Sequence, residues 1–377
     1  MDNTIIRLVF VGDFCAYSPE NIKMGSELRE TILNSDVRVI NFEGPLQRGT
    51  LHTANSFFLK QSDESPKWCI DNGFNLIGLA NNHAYDFGPD GLKATVDAFN
   101  QLTVVGVGTW DEAYSIRYLT IKGYTIGFFS ATSADLASLK DEWCDKGKLG
   151  CAWINHPSVL GNLKEAKQHC DYLCVIPHAG VEFMNVPLPE WRSIYRQIID
   201  AGADAIIASH AHVPQGWEYY QGKPIFYSLG NFVFDKGTQY SIPKWYNGLM
   251  ASLEISDSGI RAEALCTKLS DGIVDIDNTV ESIQYLEELC AFLKNDAVYM
   301  SKVNEGVLHF YQKYEGWLLS GLRSVKIRPL KIRQLYHIFR AFIKGGTNNR
   351  VALHQIREES TRWTLQRAYK LLTHTDL

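Results

Sequence analysis

The chain has 377 residues, 45% hydrophobic and 21% charged, which is enough to bury a large core and is the composition of an ordinary globular protein. Its net charge of −5 singles out no partner for the chain as a whole. No run approaches the roughly 18 apolar residues of a membrane-spanning helix.

The start, Met1-Asp2-Asn3-Thr4, has no basic region before its short apolar run. No secretory signal is expected, and the expected location is the cytoplasm, with the membrane face as a possible site of contact. The cysteines are scattered without a CxxC pair. They read as buried thiols in a reducing compartment rather than a disulfide framework.

From residue 4 to about 275, short β-branched or apolar runs alternate with amphipathic stretches at 25–34, 66–73, 89–102, 158–169 and 189–202. This alternation predicts βαβ units around a largely parallel sheet. Residues 118–130 read as a hairpin around Lys122-Gly123. Residues 224–234, 248–255 and 260–269 read as a meander turning at Asp257-Ser258-Gly259. The whole predicts an α/β fold of two sheets with outer helices over 1–277. Beyond 278 the strand signal fades, and 282–294 and 297–319 read as helices in a C-terminal extension, 278–377. Residues 316–357 contain no Asp or Glu but nine Lys and Arg, with Leu335, Ile338, Phe339, Phe342 and Ile343 at helical spacing. Two readings are open: a basic helix lying on an anionic membrane or partner, or a helix packed on the main domain with its basic face in water. Without a recognised reading motif, nucleic acid is not the expected partner.

Five apolar runs end in metal-ligating side chains. Asp13 follows Leu8-Val9-Phe10-Val11-Gly12, and Glu43 follows Val37-Arg38-Val39-Ile40-Asn41-Phe42. Asn82 and His83 follow Leu76-Ile77-Gly78-Leu79-Ala80-Asn81. His178 follows Leu173-Cys174-Val175-Ile176-Pro177, and His210 and His212 follow Ala205-Ile206-Ile207-Ala208-Ser209. Singly, each has an ordinary explanation: a turn cap, a loop acid, a core histidine. Together they converge, because parallel strands end on one side of a sheet. His210-Ala211-His212 turns both rings to one site only if its backbone leaves the extended conformation. The ligands are hard or borderline and suit Mn, Fe, Zn or Mg. They are too many for one ion. Two ions about 3.5–4 Å apart, sharing a carboxylate, would use them all.

The order resembles the calcineurin-like metallophosphoesterases and, within them, the CapA-type proteins linked to poly-γ-glutamate and capsule synthesis. The matching pieces run from Val11-Gly12-Asp13 and Asn41-Phe42-Glu43-Gly44-Pro45-Leu46 to Ala80-Asn81-Asn82-His83-Ala84-Tyr85-Asp86-Phe87-Gly88. They continue with Pro177-His178-Ala179-Gly180-Val181-Glu182-Phe183, Ser209-His210-Ala211-His212 and Tyr227-Ser228-Leu229-Gly230-Asn231-Phe232. The resemblance implies a metallophosphoesterase-like two-sheet sandwich flanked by helices. It implies a first metal on Asp13 and His212, a second on Asn82, His178 and His210, and Glu43 as the bridge. His83 would then act on the leaving oxygen, with Asp86 and Glu182 orienting histidines or substrate. One departure stands out: the wider superfamily has Asp-x-His at the first strand end, where this chain has Asp13-Phe14-Cys15. Cys15 is either a thiolate substitute or a packing residue.

Three functions are consistent with this reading. The first is a metal-dependent hydrolase acting on a phosphoester or related bond in capsule or surface-polymer synthesis. The second is synthesis or hydrolysis of an amide in poly-γ-glutamate. No Walker-type loop is present, which argues against ATP-driven ligation by this chain alone. The third is a non-catalytic component holding an anionic polymer at the membrane. In all three the partner is an anionic or phosphorylated substrate. Phe183, Trp191, Trp217 and Phe234 either line its pocket or belong to the core.

Overall fold

The computed structural model describes residues 5–51, 58–134, 137–139, 148–235, 242–318 and 357–373, the side chains of 313–318 excepted. Two sheets stack face to face. The first runs, from one edge, Lys23–Met24, Ile273–Ile276, Gly259–Ser270, Asn247–Ser256, Ile6–Cys15, Val37–Phe42, Leu76–Gly78 and Thr103–Val105, and Asn231–Phe234 also pairs with Ile6–Cys15. The second runs Trp217–Tyr220, Lys223–Phe226, Ala205–Ile207, Tyr172–His178, Tyr124–Thr132 and Arg117–Ile121. A short three-stranded sheet, Val107–Gly108, Gly150–Ala152 and Ser138–Leu139, is separate in pairing and is joined to the end of Tyr124–Thr132 by the bridge between Thr132 and Trp153.

Alternation along the strands sorts side chains into layers. Leu8 and Phe10 of the first sheet meet Phe128, Cys174, Ile176 and Ile207 of the second, all buried. Val9 and Val11 point the other way, to Leu28, Ile32, Trp68 and Leu92 of outer helices. On the far side Val175 and Ile206 meet Leu163, Trp191 and Ile198. The result is the helix–sheet–sheet–helix sandwich expected from the sequence. Each fully buried Leu, Ile or Phe contributes about 1.5–3 kcal/mol to holding it.

The amphipathic stretches become the helices Ser26–Leu33, Ser65–Asp71, Gly88–Ala98, Val159–Ala166 and Pro189–Asp200. The hairpin around Lys122-Gly123 is present, with both turn residues at positive φ, 50° and 92°. The meander needs correction. Asn247–Ser256 and Gly259–Ser270 do form a hairpin, but 224–234 is not its third strand. Lys223–Phe226 lies parallel to Ala205–Ile207 in the second sheet, whereas Asn231–Phe234 lies parallel to Ile6–Cys15 in the first. The chain changes sheets at Ser228-Leu229-Gly230, where Gly230 has φ +67°. A continuous apolar run does not reveal such a switch.

Helices Val280–Lys294 and Asp296–Leu318 and the C-terminal helix Glu359–Thr373 bring Leu289, Val303, Val307 and Ala368 onto the outer layer of the second sheet. The basic stretch 316–357 lies almost wholly outside the described residues. No described helix is long and apolar enough to cross a membrane. Among the described residues, Cys69, Cys170, Cys174, Cys266 and Cys290 are free thiols.

Gly12 marks the tightest contact between strands that carry ligands. A Cβ there would lie 1.9 Å from the carbonyl oxygen of Gly230. Gly12→Ala is therefore expected to cost about 3 kcal/mol, read as a lower urea midpoint. Gly161, inside helix Val159–Ala166, has open space around its Cβ position. Gly161→Ala is expected to gain about 0.5–1 kcal/mol in the same assay.

Candidate metal centre

The carboxyl ends of the two sheets open onto one site. The register of Ile6–Cys15 against Val37–Phe42 shifts between Val11 and Asp13, and a bulge of this kind re-aims the side chain that follows it. The Asp13 amide donates to the Gly230 carbonyl at 3.0 Å, and the Glu43 amide to the Phe14 carbonyl at 2.9 Å. Gln61 joins these two strand exits: its Nε2 donates to the carbonyls of Phe14 and Glu43, and its Oε1 accepts from the Ala16 amide. Asn81 holds the same loop from the next strand. It donates to the Phe42 carbonyl and accepts from the Gly44 amide.

His210 and His212 both sit in the left-handed region, at φ +98° and +58°. That conformation costs on the order of 1–3 kcal/mol per residue and persists only where neighbours hold it. It brings the two rings near one another, with centroids 6.1 Å apart. The His210 amide donates to Asp13 Oδ2 at 3.1 Å, and the Ala211 carbonyl accepts from the Phe183 amide at 2.8 Å.

Two groups of donor atoms result. His178 Nε2 lies 2.9 Å from Asn82 Oδ1 and 3.1 Å from His210 Nδ1. Adjacent ligands on an octahedral ion with bonds of about 2.1 Å are about 3 Å apart, so these atoms already have the spacing of one coordination shell. Asp13, Glu43 and His212 form the second group, with one donor atom from each within 4.8 Å of the others. Glu43 lies between the groups: Oε1 is 3.6 Å from His212 Nε2 and 3.9 Å from His178 Nε2. Both Glu43 carboxylate oxygens are buried without a hydrogen-bond partner among the described residues. A buried, unpaired carboxylate costs several kcal/mol unless a cation neutralises it. The donor set and the orphaned carboxylate fit a divalent ion.

Surrounding residues orient these ligands. Asn231 Nδ2 donates to the Trp245 carbonyl, which leaves its Oδ1 2.9 Å from His212 Nδ1. That oxygen calls for a proton on Nδ1, so the lone pair of Nε2 faces Glu43. Asn41 Nδ2 bridges Asp13 Oδ1 at 2.6 Å and His178 Nδ1 at 3.0 Å, and Ser209 Oγ lies 3.1 Å from the same nitrogen. His83 stands beside the donor groups with its Nδ1 2.6 Å from Asp86 Oδ2, which also accepts from the Leu59 amide. Glu182 is half-buried and near enough for its charge to act on Glu43. Cys15 is buried against Leu59, Phe234 and Trp245. Phe183 stacks on His212 and Phe234 meets its edge, whereas Trp191 and Trp217 pack away from it, Trp217 on Phe226. Asn41, Gln61, Asn81, Ser209 and Asn231 were not assigned roles from sequence. Asn41, Asn81, Ser209 and Asn231 lie inside the recognised motifs, the one signal that pointed to them, and Gln61 lies outside them.

Burial pushes the Glu43 carboxyl far above its usual range, and the negative charges of Asp13, Glu182 and Asp86 add to the shift. Burial also raises Asp13, against the opposing pull of His212. Burial, then neighbouring histidines, hold His178 and His210 well below the usual imidazole value. The acids thus resist ionisation and the histidines resist protonation, so a bound cation would favour both the ionised acids and the neutral rings.

An α/β sandwich with oxygen and nitrogen ligands gathered at its strand ends defines this chain as a candidate metalloprotein. It belongs to the bacterial capsule synthesis protein family, PGA_cap, whose profile matches residues 8–236. It is 36% identical over 217 residues to the PGA biosynthesis protein CapA of Bacillus subtilis (strain 168), covering 54% of each chain. It is 34% identical over 218 residues to the capsule biosynthesis protein CapA of Bacillus anthracis, covering 54% of this chain and 52% of that one. The chain thus spans about half the length of the curated relatives it matches. A putative 5′-nucleotidase from Staphylococcus aureus, solved in complex with alpha-ketoglutarate, superposes with a TM-score of 0.44 at 16% identity, over 77% of this chain and 59% of that one. A likeness of that size assigns no chemistry here.

The sign of the pH dependence follows from these shifts. In the metal-free protein the raised acids make stability fall as pH rises above the ordinary carboxyl range, and the lowered histidines make it fall as pH drops below about 6.5. Metal binding needs ionised acids and neutral histidines, so the gain in melting temperature from Mn2+ is expected to grow between pH 5.5 and 8. Glu43→Gln is expected to raise the melting temperature of the chelated protein at pH 8 and to remove the Mn2+-dependent gain. Differential scanning fluorimetry reads both.

Proposed function

We propose that the protein is a divalent-metal-dependent hydrolase that cleaves a phosphoester or related bond during capsule or surface-polymer synthesis. The observation that carries this is the Glu43 carboxylate, buried between two groups of donor atoms without a hydrogen-bond partner among the described residues. Asn82, His178 and His210 would hold one ion and Asp13 and His212 the other, with Glu43 between them. Mn, Fe or Zn suits this mixture best, and Mg is an alternative. Divalent ions bound there supply Lewis acidity toward a phosphoryl oxygen and a nucleophilic water at neutral pH.

The chain's own residues then have separate tasks. Asn41, Ser209 and Asn231 hold the ligating rings and Asp13 in place, so little reorganises during reaction. The contact between Asp86 and His83 Nδ1 fixes the ring. A proton on its Nε2 would be available to the departing oxygen. The phenyl ring of Phe183, stacked on His212, covers the donor group of Asp13, Glu43 and His212 on that side.

A second reading is amide chemistry on poly-γ-glutamate. The PGA biosynthesis role named for the Bacillus subtilis relative favours it, and metal ions held by the same donors would polarise an amide carbonyl.

Hydrolysis of p-nitrophenyl phosphate and bis-p-nitrophenyl phosphate, with and without chelator, tests the leading reading. His210→Ala is expected to lower kcat/KM about a thousandfold or more. His83→Asn is expected to lower kcat about 10²–10³-fold with metal content unchanged. Activity that survives both complete metal removal and His210→Ala would contradict the assignment. Polymer shortening without phosphoester cleavage would favour the amide reading.

A further inference from the structure

The family match ends at residue 236, yet a segment more than a hundred residues further on is bonded into the rear of the site. Glu359 and Ser360 open the C-terminal helix and are both buried. The Ser360 hydroxyl donates to the Gly180 carbonyl and accepts from Trp191 Nε1 at 2.9 Å. The Glu359 carboxylate accepts from the Ala134 amide at 2.7 Å, Trp153 Nε1 at 2.6 Å and Asn155 Nδ2 at 3.0 Å. Glu358 receives the amides of Ser360 and Thr361, which fixes the start of the helix.

These bonds converge on the strand exit that carries His178. The His178 carbonyl accepts from Thr132 Oγ1 at 3.1 Å and the Ser133 amide at 3.3 Å, one residue before the amide that Glu359 holds. The Ala179 carbonyl accepts from the Tyr195 hydroxyl at 2.9 Å. The Gly180 carbonyl accepts from Ser360. Three successive carbonyls after the strand are thus each pinned by a donor from a different element. The same loop reaches the other two ligating histidines, because the Ala179 amide donates to the Ser209 carbonyl at 3.3 Å and the Phe183 amide to the Ala211 carbonyl at 2.8 Å.

We propose that Glu359 and Ser360 are positioning residues for the His178 ligand loop, making the C-terminal helix part of the site's support. Its functional consequence rests on the metal-site reading above. Its structural content does not. Supporting hydrogen bonds of this kind change metal affinity by about 10–100-fold when lost. Neither residue approaches the donor groups itself, so both act through backbone.

Hydrogen–deuterium exchange on the full chain, without metal, tests the proposal. Ser360→Ala and Glu359→Gln are expected to speed exchange at the Ala179 and Phe183 amides about tenfold, with peptides of the first sheet unchanged. Ser360→Thr, which keeps the hydroxyl, is expected to stay within about twofold of the parent. Unchanged exchange at both amides in Ser360→Ala and Glu359→Gln would overturn the proposal. So would an increase spread evenly over both sheets, which signals general destabilisation. Calorimetric titration with Mn2+ on the same samples is expected to show about tenfold weaker binding in Ser360→Ala. If the parent chain bound no Mn2+, the metal reading would fail, while the exchange data would still decide the clamp.

Discussion

The buried Glu43 carboxylate is the constraint on which the rest of the site depends. Among the described residues none supplies it with a hydrogen bond, and the charges that act on it include Asp13, Glu182 and Asp86. Such an arrangement is costly for a metal-free protein. It fits a ligand set for a divalent cation. The left-handed backbone at His210 and His212 is a second local cost with the same explanation. Stability is given up at the strand ends and restored by the stacked layers beneath them.

The division of labour between the layers follows. The face between the sheets is apolar and closely filled, so the strands hold their relative positions. Polar side chains begin where the strands end. There the chain invests in amides: Asn41, Gln61, Asn81 and Asn231 each tie one strand exit to another. An amide is both donor and acceptor and carries no charge, so it can bond a carbonyl, a carboxylate or an imidazole without altering the charge of the site.

Much of this was legible in the sequence. Apolar runs ending in Asp13, Glu43, Asn82, His178 and His210 announced both the strands and their common edge, because parallel strands leave no other place for their loops. The alternation of strands and amphipathic stretches gave the helices to within a few residues. What stayed hidden has physical reasons. The passage of 227–231 between sheets depends on Gly230 and on its close approach to Gly12, neither visible in hydrophobic periodicity. The roles of Asn41 and Gln61 depend on contacts across the fold, and a single Asn or Gln in a sequence has no preferred meaning. Glu359 and Ser360 lie more than 170 residues from the loop they hold, in a region where periodicity speaks only of a helix.

The central claim is that Glu43 binds metal. Crystals soaked in Mn2+ at pH 8, with anomalous scattering recorded at the manganese edge, test it most directly. The account predicts anomalous density within about 2.3 Å of a Glu43 carboxylate oxygen, and two peaks about 3.5–4 Å apart when both donor groups are filled. A fully occupied crystal showing a water molecule hydrogen-bonded to Glu43, with no anomalous peak between His178 and His212, would contradict it.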